Sequence, residues 1–325
     1  MLKTRAERNR TITLEASDIE KYSSLCVTPA LLGIEKSEII NGDAFEIMKC
    51  LPKSFVDLLI VDPPYNLSKT FGGTNFKKMN TLEYREFTES WLEKAKPLLK
   101  NTASIYVCCD WKSSLIIGDV LSKHLHIQNR ITWQREKGRG ASRNWKNSME
   151  DIWFATVSPK EFTFNVNDVK MRRKVIAPYK VDGKPKDWNE TKAGNFRDTY
   201  PSNFWDDISI PYWSMPENTD HPTQKPEKLL AKLILASSNK GDVVLDPFLG
   251  SGTTAVVSKK LGRKYVGIEC EKEYCALAQK RLEMACSNNE IQGYSEGVFW
   301  ERNTLSTQKK LKTSSKPSIQ QSLID

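Results

Sequence analysis

Four consecutive residues, Asp62-Pro63-Pro64-Tyr65, put a carboxylate, two rigid carbonyls and an aromatic ring side by side. Each proline fixes φ and has no N–H to give, so the chain stops as a strand and its carbonyls remain bare acceptors. An amino group on a flat ring suits such a place. Asp62 and a proline carbonyl can accept its two N–H bonds, and Tyr65 can stack on the ring. Four residues are a short pattern, and a plain strand-to-loop turn with a satisfied Asp fits them as well.

A second group lies far along the chain. Asp246-Pro247-Phe248-Leu249-Gly250-Ser251-Gly252-Thr253-Thr254 is a glycine-rich turn, and Glu269 follows about 20 residues later. Glycines let a ligand approach the backbone, and an acid at that distance can bind a ribose hydroxyl. The pattern is not Gly-x-Gly-x-x-Gly, which counts against a dinucleotide.

The elements that must carry these groups read as one α/β domain. Residues 56–61 are an apolar run that forms a buried strand ending at Asp62. Residues 242–248 form a strand, 255–261 a helix closed by Gly262, and 264–268 a strand ending at Glu269: one βαβ unit. Residues 38–40 are a strand, and 44–51 a helix with Phe45 and Met48 inward. Between them Asp43 suits a helix N-cap. Asn80 with Glu83 reads as a capping pair opening a helix to about Leu99, whose stripe of Tyr84, Phe87, Trp91, Ala95 and Leu98 is core. Strands at 103–109, 127–134 and 151–156 and helices at 115–125, 226–239 and 271–285 continue the alternation. Residues 160–216 break it.

Composition narrows the classes. The length of 325 residues allows one large α/β domain with insertions or two domains. Hydrophobic residues make up 39%, and no apolar run reaches membrane-span length, so a soluble chain is expected. The basic start is not followed by a signal-peptide core. Seven cysteines without a Cys-x-x-Cys pair imply reduced thiols in a cytoplasm. Three histidines leave little for a metal centre, and none is expected. The net charge of +9 suits a polyanion.

Basic residues gather in three places. Lys77 and Lys78 lie in a polar loop after Tyr65 and suit phosphate contact or a solvated pair. Arg139, Arg143 and Lys146 lie in a Gly- and Trp-bearing loop that suits DNA backbone contact or a mobile connection. Arg172 and Arg173 open the insert, where many lysines stand among Tyr179, Trp188, Tyr200, Trp205, Tyr212 and Trp213. There, charges suit base edges or phosphates, or a solvated surface with the tryptophans as a small separate core.

Together the two motifs resemble the β group of amino-directed DNA methyltransferases, in which the catalytic block precedes the cofactor block. His221-Pro222-Thr223-Gln224-Lys225-Pro226 is similar to the segment that family carries before its cofactor strand, and Asn41-Gly42-Asp43 to its early cofactor-adenine contact. The resemblance covers residues about 37–285. It implies a Rossmann-like fold with a mixed, mostly parallel sheet, helices on both faces, and S-adenosylmethionine as cofactor. Asp62, Pro63, Pro64 and Tyr65 are then catalytic. Asp43, Ala44, Asp62, Thr223, Lys225, Asp246, Phe248, Gly250, Ser251, Gly252, Thr253, Thr254 and Glu269 bind the cofactor, with Lys225 balancing its methionine carboxylate. The closest resemblance is to bacterial adenine-specific enzymes of restriction–modification systems, which implies DNA as partner, a cognate restriction endonuclease acting on the same site, and a homodimer by analogy. Methylation of the cytosine amine, of RNA or of a protein amide, and a non-catalytic DNA-binding role are the rivals. The chain divides into an extension at 1–30 (read as a partly mobile arm), a catalytic half at 31–160, a target-recognition insert at 161–216, a cofactor half at 217–300 and a disordered basic tail at 301–325.

Overall fold

The structure is a computed structural model that describes residues 5–27, 37–71, 74–135, 142–175, 179–191 and 194–308. Arg139 and the tail beyond Gln308 lie outside the described residues. Eight strands make the central sheet: β1 (Glu38–Asn41), β2 (Val56–Val61), β3 (Leu99–Cys109), β4 (His126–Gln134), β5 (Met149–Thr156), β6 (Phe204–Trp205), β7 (Val243–Asp246) and β8 (Lys264–Glu269). Their spatial order is β1-β8-β7-β2-β3-β5-β4-β6. The first five are mutually parallel, β5 runs antiparallel to both β3 and β4, and β6 is parallel to β4. This is the mixed, mostly parallel sheet expected from the sequence.

Strand periodicity sorts the core into two layers. Leu59, Val61, Ile105 and Val107 face a layer formed by α2 (Ala44–Cys50), α3 (Thr81–Ala95) and α4 (Ser113–His124). Leu58, Ile60, Tyr106 and Cys108 face α5 (Glu227–Ser237) on the other side. Next to α5, α6 (Thr253–Lys260) and α7 (Lys272–Ser287) cover Ile39 and Tyr265. Fully burying a Leu or Ile is worth roughly 1.5–3 kcal/mol, so this double layer is what holds the strand ends in place. Asn80 caps α3 with Glu83 reciprocating, as the sequence implied. That helix stops at Ala95, before Leu99, because Pro97 tightens the next turn into a short 3₁₀ segment.

Two non-local features were not visible in sequence. A five-stranded sheet orders Asn189–Thr191, Gly194–Thr199, Met171–Lys174, Val298–Trp300 and Tyr294–Ser295. The insert therefore pairs with strands at the very end of the cofactor half, through Val298–Trp300. Phe196, Val298 and Trp300 form its small core. This layer lies over α5, which is why every residue of α5 is buried. Its two lysines need partners there, and Asp207 supplies them: Lys228 Nζ is 2.6 Å and Lys232 Nζ 2.7 Å from its carboxylate.

The second correction concerns the N-terminal extension, read from sequence as a partly mobile arm. Its helix α1 (Ala16–Ser23) instead packs along α7, with Tyr22 buried. Lys280 reaches Asp18 at 2.7 Å, Lys21 reaches Glu283 at 3.1 Å, and Tyr22 also bonds Glu283. Ile12 bridges to Thr219 and Val27 to Ile40. Ile12 and Tyr22 are the extension's buried apolar residues among those described, too few to give a readable period. At the other end Arg302 donates to the carbonyls of Gln134 (2.9 Å) and Ile208 (2.8 Å), so the tail docks where it begins.

Candidate active site

Parallel pairing sets the site. Register places Asn41 beside Glu269, Asp246 beside Gly267, and Val61 beside Val107. The carboxyl ends of β1, β8, β7 and β2 thus form one row, which carries Asp43, Glu269, Asp246 and Asp62 in that order. From β7 the chain leaves through α6 to one side, and from β2 through α3 to the other. A crevice opens where such crossovers diverge. Here it is a cavity of about 520 Å³ lined by Asp43, Ala44, Phe45, Asp62, Pro63, Pro64, Tyr65, Thr223, Lys225, Asp246, Phe248, Gly250, Ser251, Thr253, Thr254 and Glu269, among others. Of the catalytic and cofactor residues proposed from sequence, Gly252 alone is not part of this lining. At φ +84° it begins α6, and a Cβ there would come within 2.9 Å of Ala278 Cα, so its demonstrated role is to let α6 and α7 meet.

The glycine-rich turn is strapped from behind. Asp246 accepts from Phe248 N–H at 3.0 Å and from the Thr254 hydroxyl at 2.6 Å. Burial pushes its carboxyl up to about 7, with both hydrogen bonds opposing. Arg281, buried on α7, donates to the Ser251 carbonyl at 2.8 Å and to Thr253 Oγ1 at 3.0 Å. Glu269 accepts from Gly250 N–H and Glu271 N–H, both at 2.8 Å. The Cys270 thiol donates weakly to it at 3.5 Å, and of a carboxylate's roughly four acceptor positions about one remains for a ligand's hydroxyl. Asp43 is both things the sequence allowed: it caps α2 by accepting from Glu46 N–H at 3.1 Å, and it lines the cavity. Phe45 and Phe248 meet edge to face at 6.4 Å between centroids and wall an apolar slot. A Cβ on Gly250 (φ +55°) would lie 3.1 Å from His221 Nε2, so the glycine lets His221 close against the turn. Aromatic walls and an acid at the cavity edge fit S-adenosylmethionine, with a slot for adenine and a partner for ribose in the cavity that also holds Asp62.

At the catalytic end, Asp62 follows β2 directly and Tyr84 donates to the Pro64 carbonyl at 3.1 Å, fixing the turn. Lys225 Nζ lies 2.8 and 2.7 Å from the two Asp62 oxygens and 3.1 Å from Tyr65 Oη. In the structure the lysine is thus held by Asp62, whereas the resemblance put it at the cofactor's carboxylate. Tyr65 in turn donates to Glu150 Oε2 at 3.0 Å. Burial raises the Asp62 carboxyl above the usual range; the Lys225 charge opposes this and the Glu150 charge adds to it. Burial also raises the Tyr65 phenol, which keeps its proton as a donor. Glu150 and Arg135 are among the lining residues that the sequence did not assign to the site. Glu150 is buried at the start of β5, and Arg135, just past β4, is ion-paired to it. The β4–β5 pairing of Gln134 with Met149 brings them to this rim, and no local motif marks either. The segment bearing Lys225 is braced by Gln224, which accepts from Thr219 N–H (2.9 Å) and donates to the Glu217 carbonyl (2.6 Å).

The proposed DNA contacts divide. Lys77, Lys78, Arg143 and Lys146 are exposed. Arg172 is committed within the small sheet: it forks onto Asp198 at 2.8 and 2.9 Å, reaches Glu296 at 3.0 Å and lies over the Trp300 ring. Arg173 pairs with Glu301 at 3.3 Å. Both have a structural role that the crowding of charges in sequence could not reveal. Among the described residues, no group of three metal-type ligands occurs and no helix is long and apolar enough to cross a membrane.

Comparisons with known proteins agree with this geometry. Residues 56–280 match the N6/N4 methyltransferase family described as DNA methylase. The Type II methyltransferase M.HpaI of Haemophilus parainfluenzae is 37% identical over 247 residues, covering 75% of this chain and 74% of its own. DNA adenine methyltransferase YhdJ of Escherichia coli is 34% identical over 263 residues, covering 79% and 86%. Among solved structures, the M1.HpyAVI–SAM complex aligns with a TM-score of 0.53 at 29% identity over 75% of this chain and 98% of that one. The cytosine-N4-specific PvuII DNA methyltransferase shares the fold at 18% identity, with a TM-score of 0.56 over 78% and 90%. The chain belongs to the N6/N4 DNA methylase family and is an S-adenosylmethionine-dependent DNA methyltransferase.

Proposed function

We propose that this chain methylates the exocyclic N6 amine of adenine at a specific DNA sequence, as the modification enzyme of a restriction–modification system. The observation that carries the reading is the Asp62 carboxylate with the Tyr65 ring at the end of β2, sharing one cavity with Phe248 and Glu269. The relatives support it by name: Type II methyltransferases and a DNA adenine methyltransferase.

An exocyclic amine is a poor nucleophile because its lone pair is conjugated into the ring. Asp62 and the Pro63 carbonyl accept its two N–H bonds and draw the nitrogen toward tetrahedral geometry, which frees the lone pair. Tyr65 stacks on the base, a contact worth ~1–3 kcal/mol in single-strand binders. Phe45, Phe248, Asp43, Glu269 and the backbone at Gly250 and Ser251 hold S-adenosylmethionine, which when bound supplies an electrophilic sulfonium methyl. The surplus proton leaves to Asp62 or to water, and a carboxyl raised by burial is the better acceptor for it. The target amine is paired inside a duplex, so the base must swing out to reach Asp62. Lys77, Lys78, Arg143 and Lys146 contact phosphates. A cognate endonuclease, a homodimer and a bacterial cytoplasmic location complete the reading.

The test is transfer of labelled methyl from S-adenosylmethionine to mixed genomic DNA, then nucleoside analysis and mapping of the methylated sequence. Label in N6-methyladenine is expected. Label in N4-methylcytosine would change the base and keep the mechanism. No label in duplex or single-stranded DNA, with cofactor shown to bind, would overturn the reading.

A further inference from the structure

The ammonium of Lys225 stands where the proposed function puts the target amine. It is held by both Asp62 oxygens at 2.7 and 2.8 Å, and it lies 5.2 Å from the centroid of the Tyr65 ring. These are the groups that would hold an amino group and stack on its base. A permanent cation there would repel an amine that gains positive charge as it is methylated. Yet a second anion waits beside it. Glu150, itself buried, has its Oε2 3.5 Å from Lys225 Nζ, while Arg135 binds the other oxygen of Glu150. A lysine on a four-carbon stem can rotate between two such carboxylates at little cost, because it stays paired in both positions.

We propose that Lys225 is a displaceable occupant of the amine site. It neutralises buried Asp62 when no base is present, and it passes to Glu150 when the target amine arrives. Glu150 is then a positioning residue with two tasks: it receives the displaced ammonium, and through Tyr65 Oη it orients the stacking ring. Discrimination follows from this arrangement. A base without an exocyclic amine cannot take over the Asp62 oxygens, so it leaves the lysine in place and gains no grip.

This rests on the function proposed above, and the experiment separates the two. Duplexes of the mapped sequence carry either adenine or purine, which lacks the amine, at the methylated position. Their affinities are measured by fluorescence anisotropy with S-adenosylhomocysteine present, so that no turnover occurs. The quantity read is the preference for adenine over purine. In the wild type the incoming amine must displace the lysine. Lys225→Met removes that competitor, and the preference should rise roughly tenfold, the scale of one hydrogen bond to a charged group. Glu150→Gln keeps an acceptor for Tyr65 but offers the ammonium no counter-charge, so displacement costs more and the preference should fall. Lys225→Gln repeats the test should the Met variant not fold. A preference unchanged or lowered in both Lys225 variants, with affinity for the two duplexes moving together, would overturn the proposal in favour of a general cofactor or structural contact. Wild-type protein that fails to methylate the adenine duplex would defeat the functional reading first, and this one with it.

Discussion

Asp62 and Tyr65 do different things, and variants should separate them. Asp62→Ala removes the acceptor proposed to free the amine's lone pair, so methyl transfer should fall on the order of 10²–10³-fold or more. Cofactor binding, measured by calorimetry, should stay largely intact, because Phe248, Glu269 and the Gly250 backbone are untouched. Near-normal transfer would show that Asp62 has another role. Tyr65→Phe keeps the ring and loses the bonds to Glu150 and Lys225. Tyr65→Ala also loses the stack, and should cost a further ~1–3 kcal/mol of base binding. Equal losses in the two variants would mean that the hydroxyl, not the ring, matters. Both residues are legible in sequence because they are neighbours in the chain. Glu150 and Arg135 are not: they lie 15 positions apart, and antiparallel pairing of β4 with β5 brings Arg135 to Glu150, which meets Tyr65.

The segment 217–225 and the turn before α6 depend on how elements meet. Glu217 Oε2 accepts the Glu227 N–H at 2.6 Å and so caps α5 from outside the helix. Burial first, and the Glu227 charge next, push the Glu217 carboxyl from its ordinary 4.5 up to about 7. The folded chain therefore holds this proton more tightly than the unfolded chain. Its stabilisation is complete below the ordinary value and is lost as pH rises through about 7. Glu217→Gln retains the capping oxygen and cannot ionise, so the fall in Tm across that window should flatten. An unchanged slope would place the titration elsewhere. Gly252→Ala adds a Cβ at φ +84° that collides with Ala278. The left-handed conformation alone costs about 1–2 kcal/mol, and the clash adds to it. Thermal unfolding should drop by several degrees, whereas a variant of wild-type Tm would mean that α7 shifts freely. The glycine itself was legible; its role was not, because α7 comes 20 residues later and only packing brings Ala278 against it.

Across the whole molecule the net charge of +9 divides between exposed basic residues and ones already paired with acids, such as Arg172 and Arg173. If Lys77, Lys78, Arg143 and Lys146 touch phosphates, neutralising each should lower the slope of log affinity against log salt by roughly 1. Arg172→Ala should behave otherwise. It breaks the Asp198 and Glu296 pairs and uncovers Trp300, so it should lower Tm and leave the salt slope alone. A reduced slope in Arg172→Ala would return that residue to the DNA interface. Composition alone cannot make this distinction, since an arginine looks the same in sequence whether an acid faces it or not.

The class of fold and the local motifs of the site were legible in the sequence. Asp62-Pro63-Pro64-Tyr65, the glycine-rich turn and Glu269 are local patterns, and the alternation of strands and helices is a local periodicity, so each could be read without knowing where the chain goes. Only the tertiary structure decided what depends on long-range pairing. Strand order put Asp43, Glu269, Asp246 and Asp62 in one row. Antiparallel β4 and β5 delivered Glu150 and Arg135 to that row. The small sheet took Arg172 away from the surface, and burial turned Lys225 toward Asp62. The reason is physical: a side chain's partner, and so its charge state and its task, is fixed by what lies across space from it.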